Sequence, residues 1–366
     1  MLSKLLEMQR LSYNQRRLLE LLRRHQPIAR ANVTELTDLT QQSVHRLIEG
    51  LISDGLVTTV RGKPHGRGKP SPLLSLTGSA VHSLGISVDA DATILTLTDF
   101  NCQVIARRSL TAVDEVSRRS LAQIRSACDQ MLDGAGVMRE SLCGLGFALP
   151  RGFPGTTDKA WSAVDLIPQL EAQFGLPIIL QNDATATAIA ESLVGVGQKY
   201  RSFALIAFND EISGGLIIDG KPYFGHFGNA GELTRIFSAS EQDRRPALSN
   251  LLVDLQAAGI EVRGTGDLYE RFDPAWPGVA PWIDKVMPQV YRLIDALGAV
   301  LDPQAIVLGG ALPTKLAHLL LERFETRTPL SSEAVGYRAQ LEVCGLGRDG
   351  AAIGAALLPL KFNYFQ

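Results

Sequence analysis

Cysteine is scarce in this 366-residue chain and never clustered: Cys102, Cys128, Cys143 and Cys344 lie far apart, with no CxxC pair and no Cys/His spacing. That arrangement argues against a zinc site and a disulfide framework, and predicts four reduced, mostly buried thiols. Long apolar runs are missing as well. No stretch reaches the length of a membrane span, and MLSKLLEMQR at the start carries charges where a secretory leader needs a continuous apolar segment. The expected location is therefore the cytoplasm, with no membrane partner. What remains is an ordinary globular composition, 45% hydrophobic with 34 glycines, enough for two or three full-sized cores joined by tight turns.

Net charge is small too, −2 overall, but it is unevenly placed. Residues 1–72 hold twelve Arg/Lys against six Asp/Glu, a net of +6 that leaves −8 for the rest. A small basic head on a larger acidic body points to an anion that only the head meets, and nucleic acid is the usual one.

Three apolar-periodic segments occupy residues 14–54. NQRRLLELLRRHQP predicts a first helix closed by Pro27, and ANVTELTDL a short second one. After a turn at Asp38–Thr40, QQSVHRLIEGLISDG predicts a third helix, stopped by Gly55. In it Val44, Leu47, Ile48, Leu51 and Ile52 form one buried stripe, with Thr40 placed as N-cap. The opposite face carries Gln42, Arg46, Glu49 and Ser53, flanked by Ser43 and His45. That face suits a recognition helix, because an amide can pair with adenine and a guanidinium can fork onto guanine. A merely solvated polar face is the plain alternative.

The next stretch, RGKPHGRGKPSP at 61–72, has four Arg/Lys, three Gly, three Pro and no acidic side chain. LVTTV and PLLSL flank it as short β-type runs, so the order is helix, helix, helix, strand, turn, strand, that of a winged helix-turn-helix. Glycine and proline make a narrow wing, and Arg61, Lys63, Arg67 and Lys69 can reach phosphates or a minor groove. A linker would be rich in Gly and Pro as well, but has no reason to concentrate positive charge. The candidate contacts to a double-stranded operator are thus Thr40, Gln41, Gln42, Ser43 and Arg46 from the helix, with Arg61, Lys63, Arg67 and Lys69 from the wing.

From residue 80 the texture becomes α/β. VHSLGISVDA, DATILTLTDF and CQVIARRSL read as successive strands, followed by a helix over about 114–133 and the buried strand LCGLGFALP. A helix near 166–174, the strand PIILQ, a helix from Ala184 to about Val194 and the strands SFALIAF and GGLIIDG follow. Two hairpin starts, each leading into alternating helices and strands, predict a duplicated lobe with a ligand cleft between the halves.

QNDATATAIAE, LIIDGKPYFGHFGNAGEL, LDPQAIVLGGAL and LGRDGAAIGAALL, in that order between residues 181 and 358, resemble the ROK family of sugar kinases and sugar-responsive repressors. The winged head resembles the repressor branch, since the kinases lack it. The resemblance implies a two-lobed actin-like, ribonuclease H-like body of the sugar-kinase type. Domain limits of 1–76 for the head, 77–196 with 348–366 for the first lobe, and 197–347 for the second are expected.

Where the kinases of the family have DxGGT and GTGxG, this chain has Ser87-Val88-Asp89-Ala90-Asp91 and Asn209-Asp210-Glu211-Ile212-Ser213. Gly-rich loops let backbone N–H groups approach phosphate closely. Lost glycines and added carboxylates predict that ATP binding is lost or very weak, so no cofactor and no catalytic residue are expected. On the sugar side, the resemblance implies that Asn182 and Asp183 bind hydroxyls, the Asp also serving as base in the kinases, and that Glu232 contacts sugar. Asp183 could alternatively be only the N-cap of the helix from Ala184. Gly228 and Gly231 permit close backbone approach, and Pro154 and Gly155 fall on a loop resembling the family's first sugar-facing loop.

The family's GExGH segment ends in a His; this chain has Arg235, and residues 236–250 hold no Cys or His of a zinc loop, so no metal is expected. Arg235 could pair with Glu232 or recognise a sugar phosphate or sugar acid. His226 is expected at the surface. The reading is a sugar-responsive regulator, a repressor, acting as a dimer or higher homo-oligomer; an active sugar kinase with an appended DNA-binding head is the alternative.

Overall fold

The computed structural model describes residues 11–61, 72–112, 117–150, 163–325 and 339–366. Helix α1 (Tyr13–His25) is opened by a capping box in which Ser12 and Gln15 satisfy each other's backbone N–H, and it buries Leu18, Leu19 and Leu22. It ends two residues before Pro27. Gln26 is its C-cap, and that side chain accepts from the Leu76 N–H at 2.7 Å and donates to Asn101 at 3.1 Å, tying helix, wing sheet and body together.

A two-residue strand, β1 (Ile28–Ala29), follows, which the apolar periodicity did not reveal. Helix α2 (Arg30–Glu35) is shorter than ANVTELTDL suggests, its last turn relaxing through residues 36–39. Helix α3 (Gln41–Ser53) buries Val44, Ile48 and Leu51 fully, and its N-cap is Thr40, whose hydroxyl accepts from the Ser43 N–H at 3.3 Å. Strands β2 (Val57–Arg61) and β3 (Pro72–Leu76) pair antiparallel from Val57 opposite Leu76 to Arg61 opposite Pro72. With β1 they form a sheet of order β1-β3-β2, giving the winged-helix arrangement. The wing tip between them, with Lys63, Arg67 and Lys69, lies outside the described residues, as does the Arg61 side chain.

Two five-stranded sheets form the body. The first comprises β4 (His82–Val88), β5 (Ala92–Asp99), β6 (Val104–Thr111), β7 (Leu142–Leu149) and β8 (Ile178–Asn182), in the order β6-β5-β4-β7-β8. The second comprises β9 (Phe203–Phe208), β10 (Ile212–Ile218), β11 (Lys221–Pro222), β12 (Ala305–Gly310) and β13 (Gln340–Val343), in the order β11-β10-β9-β12-β13. Each is an antiparallel three-stranded start continued by two parallel strands, which is the duplication that the paired hairpins foretold.

Helices α4 (Arg118–Ala135) and α5 (Ala163–Phe174) cover one face of the first sheet, packing on Leu84, Ile86, Leu95 and Leu97. Helices α7 (Leu248–Ala257), α8 (Thr265–Arg271), α9 (Val279–Leu301) and α10 (Thr314–Glu325) cover the outer face of the second. Between the sheets lie two helices, α6 (Asp183–Val194) and α11 (Gly350–Tyr364), and α6 is buried from Asp183 through Leu193. An alanine-rich helix with no polar face fits only such a position.

Glycine lets these layers touch backbone to backbone. A Cβ at Gly146 would stand 1.8 Å from the Ala355 carbonyl oxygen, one at Gly85 would stand 2.1 Å from the Ala356 nitrogen, and one at Gly354 would stand 1.9 Å from the Ala186 carbonyl. Gly146→Ala should therefore lower the urea midpoint by the equivalent of about 1–3 kcal/mol. Gly134→Ala, on an open face of α4 with nothing within 4 Å, should raise it by about 0.5–1 kcal/mol. Equal midpoints for the two variants would refute the close-packing account.

Candidate functional site

A cleft of about 1150 Å³ opens between the sheets at the ends of β4, β8 and β9. It gathers residues from distant parts of the chain: the β4–β5 turn, the start of α6, the β9–β10 turn, the loop from Gly228 to Arg235, and Arg245 and Arg348. Asn182, Asp183, Gly228, Glu232 and Arg235 all line it. His226 does not; it is exposed and packs edge-on against Phe227. Pro154 and Gly155 lie outside the described residues.

The junction of β8 and α6 sets the geometry at its centre. Asn182 is the N-cap of α6, its Oδ1 accepting from the Thr185 N–H at 2.7 Å. The capping role expected as the alternative for Asp183 thus belongs to its neighbour, because the helix starts one residue earlier than Ala184. Asp183 is 9% exposed. Its Oδ1 accepts from the Ala184 N–H at 2.7 Å and its Oδ2 from the Asn209 amide at 2.6 Å, while the Asn209 Oδ1 accepts from the Ala311 N–H at 2.8 Å. Burial pushes the Asp183 carboxyl up to about 6, against the pull of these donors. A carboxylate of that kind, held by two donors beside an open cleft, can accept from a ligand hydroxyl. Asn209 was counted in the sequence only as part of a loop without glycine; its role appears once β9 and α6 are adjacent.

Gly228 and Gly231 are both left-handed, at φ 72° and 87°. The close approach at Gly231 is to β10 rather than to a ligand, since a Cβ there would stand 2.1 Å from the Gly214 carbonyl oxygen. Gly228 lines the cleft with nothing within 4 Å of such a Cβ. Glu232 is half-buried, and Arg235 is exposed. Arg235 makes no ion pair among the described residues, so the pairing with Glu232 expected as one alternative does not form.

Across the cleft from Asn182 and Asp183, the β4–β5 and β9–β10 turns come together. Asp210 is raised above the ordinary carboxylate range by partial desolvation and then by the fields of Asp91, Asp89 and Glu211. The nearest cations stand at the limit of ion pairing: Arg348 is 4.0 Å from Asp89, and Arg245 is 4.0 Å from Glu211. Asp91 crosses the cleft. Its Oδ2 accepts from the Thr265 hydroxyl at 3.0 Å and the Gly266 N–H at 2.5 Å, and a Cβ on Gly264 would stand 2.1 Å from its Oδ1. A carboxylate of the first lobe is thus seated on a Gly-Thr-Gly turn of the second. Arg245, Arg348 and Thr265 were missed by the sequence reading, because nothing in their local sequence marks them as cleft residues.

The head presents a second candidate site. Gln41, Gln42, His45, Arg46 and Glu49 are exposed on α3. Arg30 of α2 donates to Glu49 at 2.7 Å and contacts His45, so both side chains already have a partner. Thr40 and Ser43 bond each other, their hydroxyls 3.0 Å apart. Gln41, Gln42 and Arg46 remain without a side-chain partner among the described residues.

Comparison with known proteins bears on both sites. The ROK family model matches residues 83–242, and the MarR family model residues 11–68. The chain is 28% identical over 367 residues to the uncharacterised protein y4fQ of Sinorhizobium fredii, covering 97% of this chain and 92% of that one. It is 24% identical over 230 residues to the xylose repressor of Bacillus subtilis, covering 60% of this chain and 59% of the repressor. The alignment thus spans little more than half of that repressor. Among solved structures, a ROK family transcriptional regulator, a homolog of Escherichia coli Mlc, superposes with a TM-score of 0.66 at 19% identity, covering 96% of each chain. A ROK hexokinase from Thermus thermophilus superposes with a TM-score of 0.57 at 22% identity, covering 76% of this chain and 98% of the hexokinase. These likenesses show the fold: the body is shared with both, and the head with the regulator.

Asp183 yields a test by pH. Its carboxyl is raised in the folded state, from 3.8 to about 6, so the ionised form burdens the fold and the protonated form does not. Stability from this group is complete below about pH 4 and is lost as pH rises through about 6. Asp183→Asn removes the titration, so its unfolding free energy relative to wild type should climb by about 2–3 kcal/mol between pH 4 and 7. Parallel pH profiles in denaturant unfolding would refute the assignment.

Proposed function

The chain belongs to the ROK family and carries a MarR-type winged helix at its head, and on that premise we propose that it is a transcriptional regulator, a repressor, whose body senses a sugar or sugar derivative without phosphorylating it. One observation carries the reading. Asn182, Asp183 and Glu232, polar groups able to bond hydroxyls, line one cleft with Asp89, Asp210 and Glu211, and this supports a sugar rather than a nucleotide as ligand. A triphosphate there would meet like charge and Cβ bulk; each close, screened pair costs on the order of 1 kcal/mol.

Mechanism follows from linkage. A sugar that draws the lobes together changes how the body holds the heads of a dimer, and operator affinity then changes by the same factor as sugar affinity. In the head, Gln42 and Arg46 read base edges, Thr40 and Ser43 fix the helix start near the phosphates with Gln41, and Arg61, Lys63, Arg67 and Lys69 of the wing neutralise the backbone. Arg235 supplies a cation for a sugar acid or phosphate.

A sugar library read by thermal shift tests sensing: a ligand at 100 times its Kd should stabilise by about 2.7 kcal/mol. A flat library would instead favour a protein-binding scaffold. In a coupled ATP assay with hexoses, turnover that disappears on Asp183→Asn would establish the kinase alternative and reject the reading. On the operator, Arg46→Ala should cost about 1–3 kcal/mol and relax preference at one base position. Lys63→Ala should weaken all sequences alike and lower the salt slope by about 1.

A further inference from the structure

We propose that Arg23, on the buried face of α1, is the positioning residue through which α6 carries the state of the cleft to the DNA-binding head. The proposal rests on the sugar-sensing reading for its purpose, but the contacts stand independently of it.

Helix α6 begins in the cleft wall at Asn182 and Asp183 and ends at Val194, some ~18 Å away at 1.5 Å per residue. Near its far end Glu191 is fully buried. One oxygen of that carboxylate accepts from the Val196 N–H at 2.7 Å, where the chain leaves the first lobe for the second. The other accepts from the Leu346 N–H at 3.1 Å and the Cys344 thiol at 2.9 Å, where the chain returns. One side chain of α6 thus pins both interlobe crossings, so a change in lobe angle must act on this helix.

One residue beyond the next, the Leu193 carbonyl belongs to the last turn of α6 and has no acceptor role left within the helix. Arg23 Nη1 donates to it at 2.5 Å. The Arg23 side chain is 4% exposed, forks onto Glu20 at 3.1 and 2.8 Å, and lies 5.8 Å above the Phe365 ring. Arg24 also donates to Glu20, at 2.6 Å, and Lys361 lies close enough to contribute to its field. Leu18, Leu19 and Leu22 share one apolar core with α6, Phe100, Tyr364 and Phe365. A helix buried all round transmits displacement rather than absorbing it, and a cation at its C-terminal end is favoured by the helix dipole. Arg23 is where that displacement enters α1.

The test uses the full chain with Arg23→Gln, and Arg23→Lys as the conservative rescue. In amide hydrogen exchange without ligand, Arg23→Gln should speed exchange at Val196 and Leu346 by about tenfold, and Arg23→Lys by much less. Change confined to residues 13–26 would overturn the proposal. In operator titrations with D-xylose, D-glucose or N-acetylglucosamine as probe, the sugar-induced change in operator Kd should shrink by about threefold or more in Arg23→Gln. The sugar Kd of the DNA-free protein should hold. An undiminished response in Arg23→Gln would also overturn the proposal. A wild-type protein that answers no probe defeats the sensing reading alone, and the exchange result still decides the role of Arg23. If Arg23→Gln does not fold, Glu20→Gln/Arg23→Met, which removes both members of the buried pair and leaves the part-exposed Arg24 to solvent, takes its place with the same expectations.

Discussion

Everything in the body hangs on the approach of α6 to its neighbours. On one side Gly354 lets α11 meet the Ala186 carbonyl; on the other Gly215 of β10 lies so close that a Cβ would stand 2.4 Å from the Ala184 carbonyl oxygen. Gly85 and Gly146 bring α11 equally close to the first sheet. Close-packed layers of this kind move as units, because a methyl group's worth of mismatch already costs stability. The start of α6 is therefore fixed where three layers meet, and that is where the cleft lies.

The chemistry of the cleft follows from that placement. Asp183 is desolvated because α6 is sandwiched, and Asn209 can reach it because β9 runs beside the same helix. The opposing wall is a set of carboxylates with arginines at a distance, bridged by Asp91 on the Gly264–Gly266 turn. Asp91 joins the β4–β5 turn of the first lobe to the start of α8 in the second through its own carboxylate.

The head is not a loosely tethered module among the described residues. Gln26 bonds both the wing sheet and Asn101, Arg16 donates to the Phe362 carbonyl at 3.1 Å, and the leucines of α1 join the core of the body. A winged helix held this firmly can be repositioned by its support, which a flexible linker would not allow.

Local chemistry settled much of this protein before any folding. Apolar spacing placed α3, α6 and most of the strands, and turn residues marked the wing, because periods of 3.6 and 2 are imposed by the backbone itself. Charge counts separated head from body. The glycine-free stretches 87–91 and 209–213 and the Asn182–Asp183 pair were legible as residue types at particular places. Other features were not: β1 is two residues long, and Asn182 caps where Asp183 was the candidate, a difference of one position that only a bonded helix start resolves. Asp91 to Thr265, Asp183 to Asn209 and Arg23 to Leu193 join residues far apart in the chain. Such contacts have no local signature, since each exists only after sheets and helices have packed, and packing energy rather than propensity chooses which side chains meet.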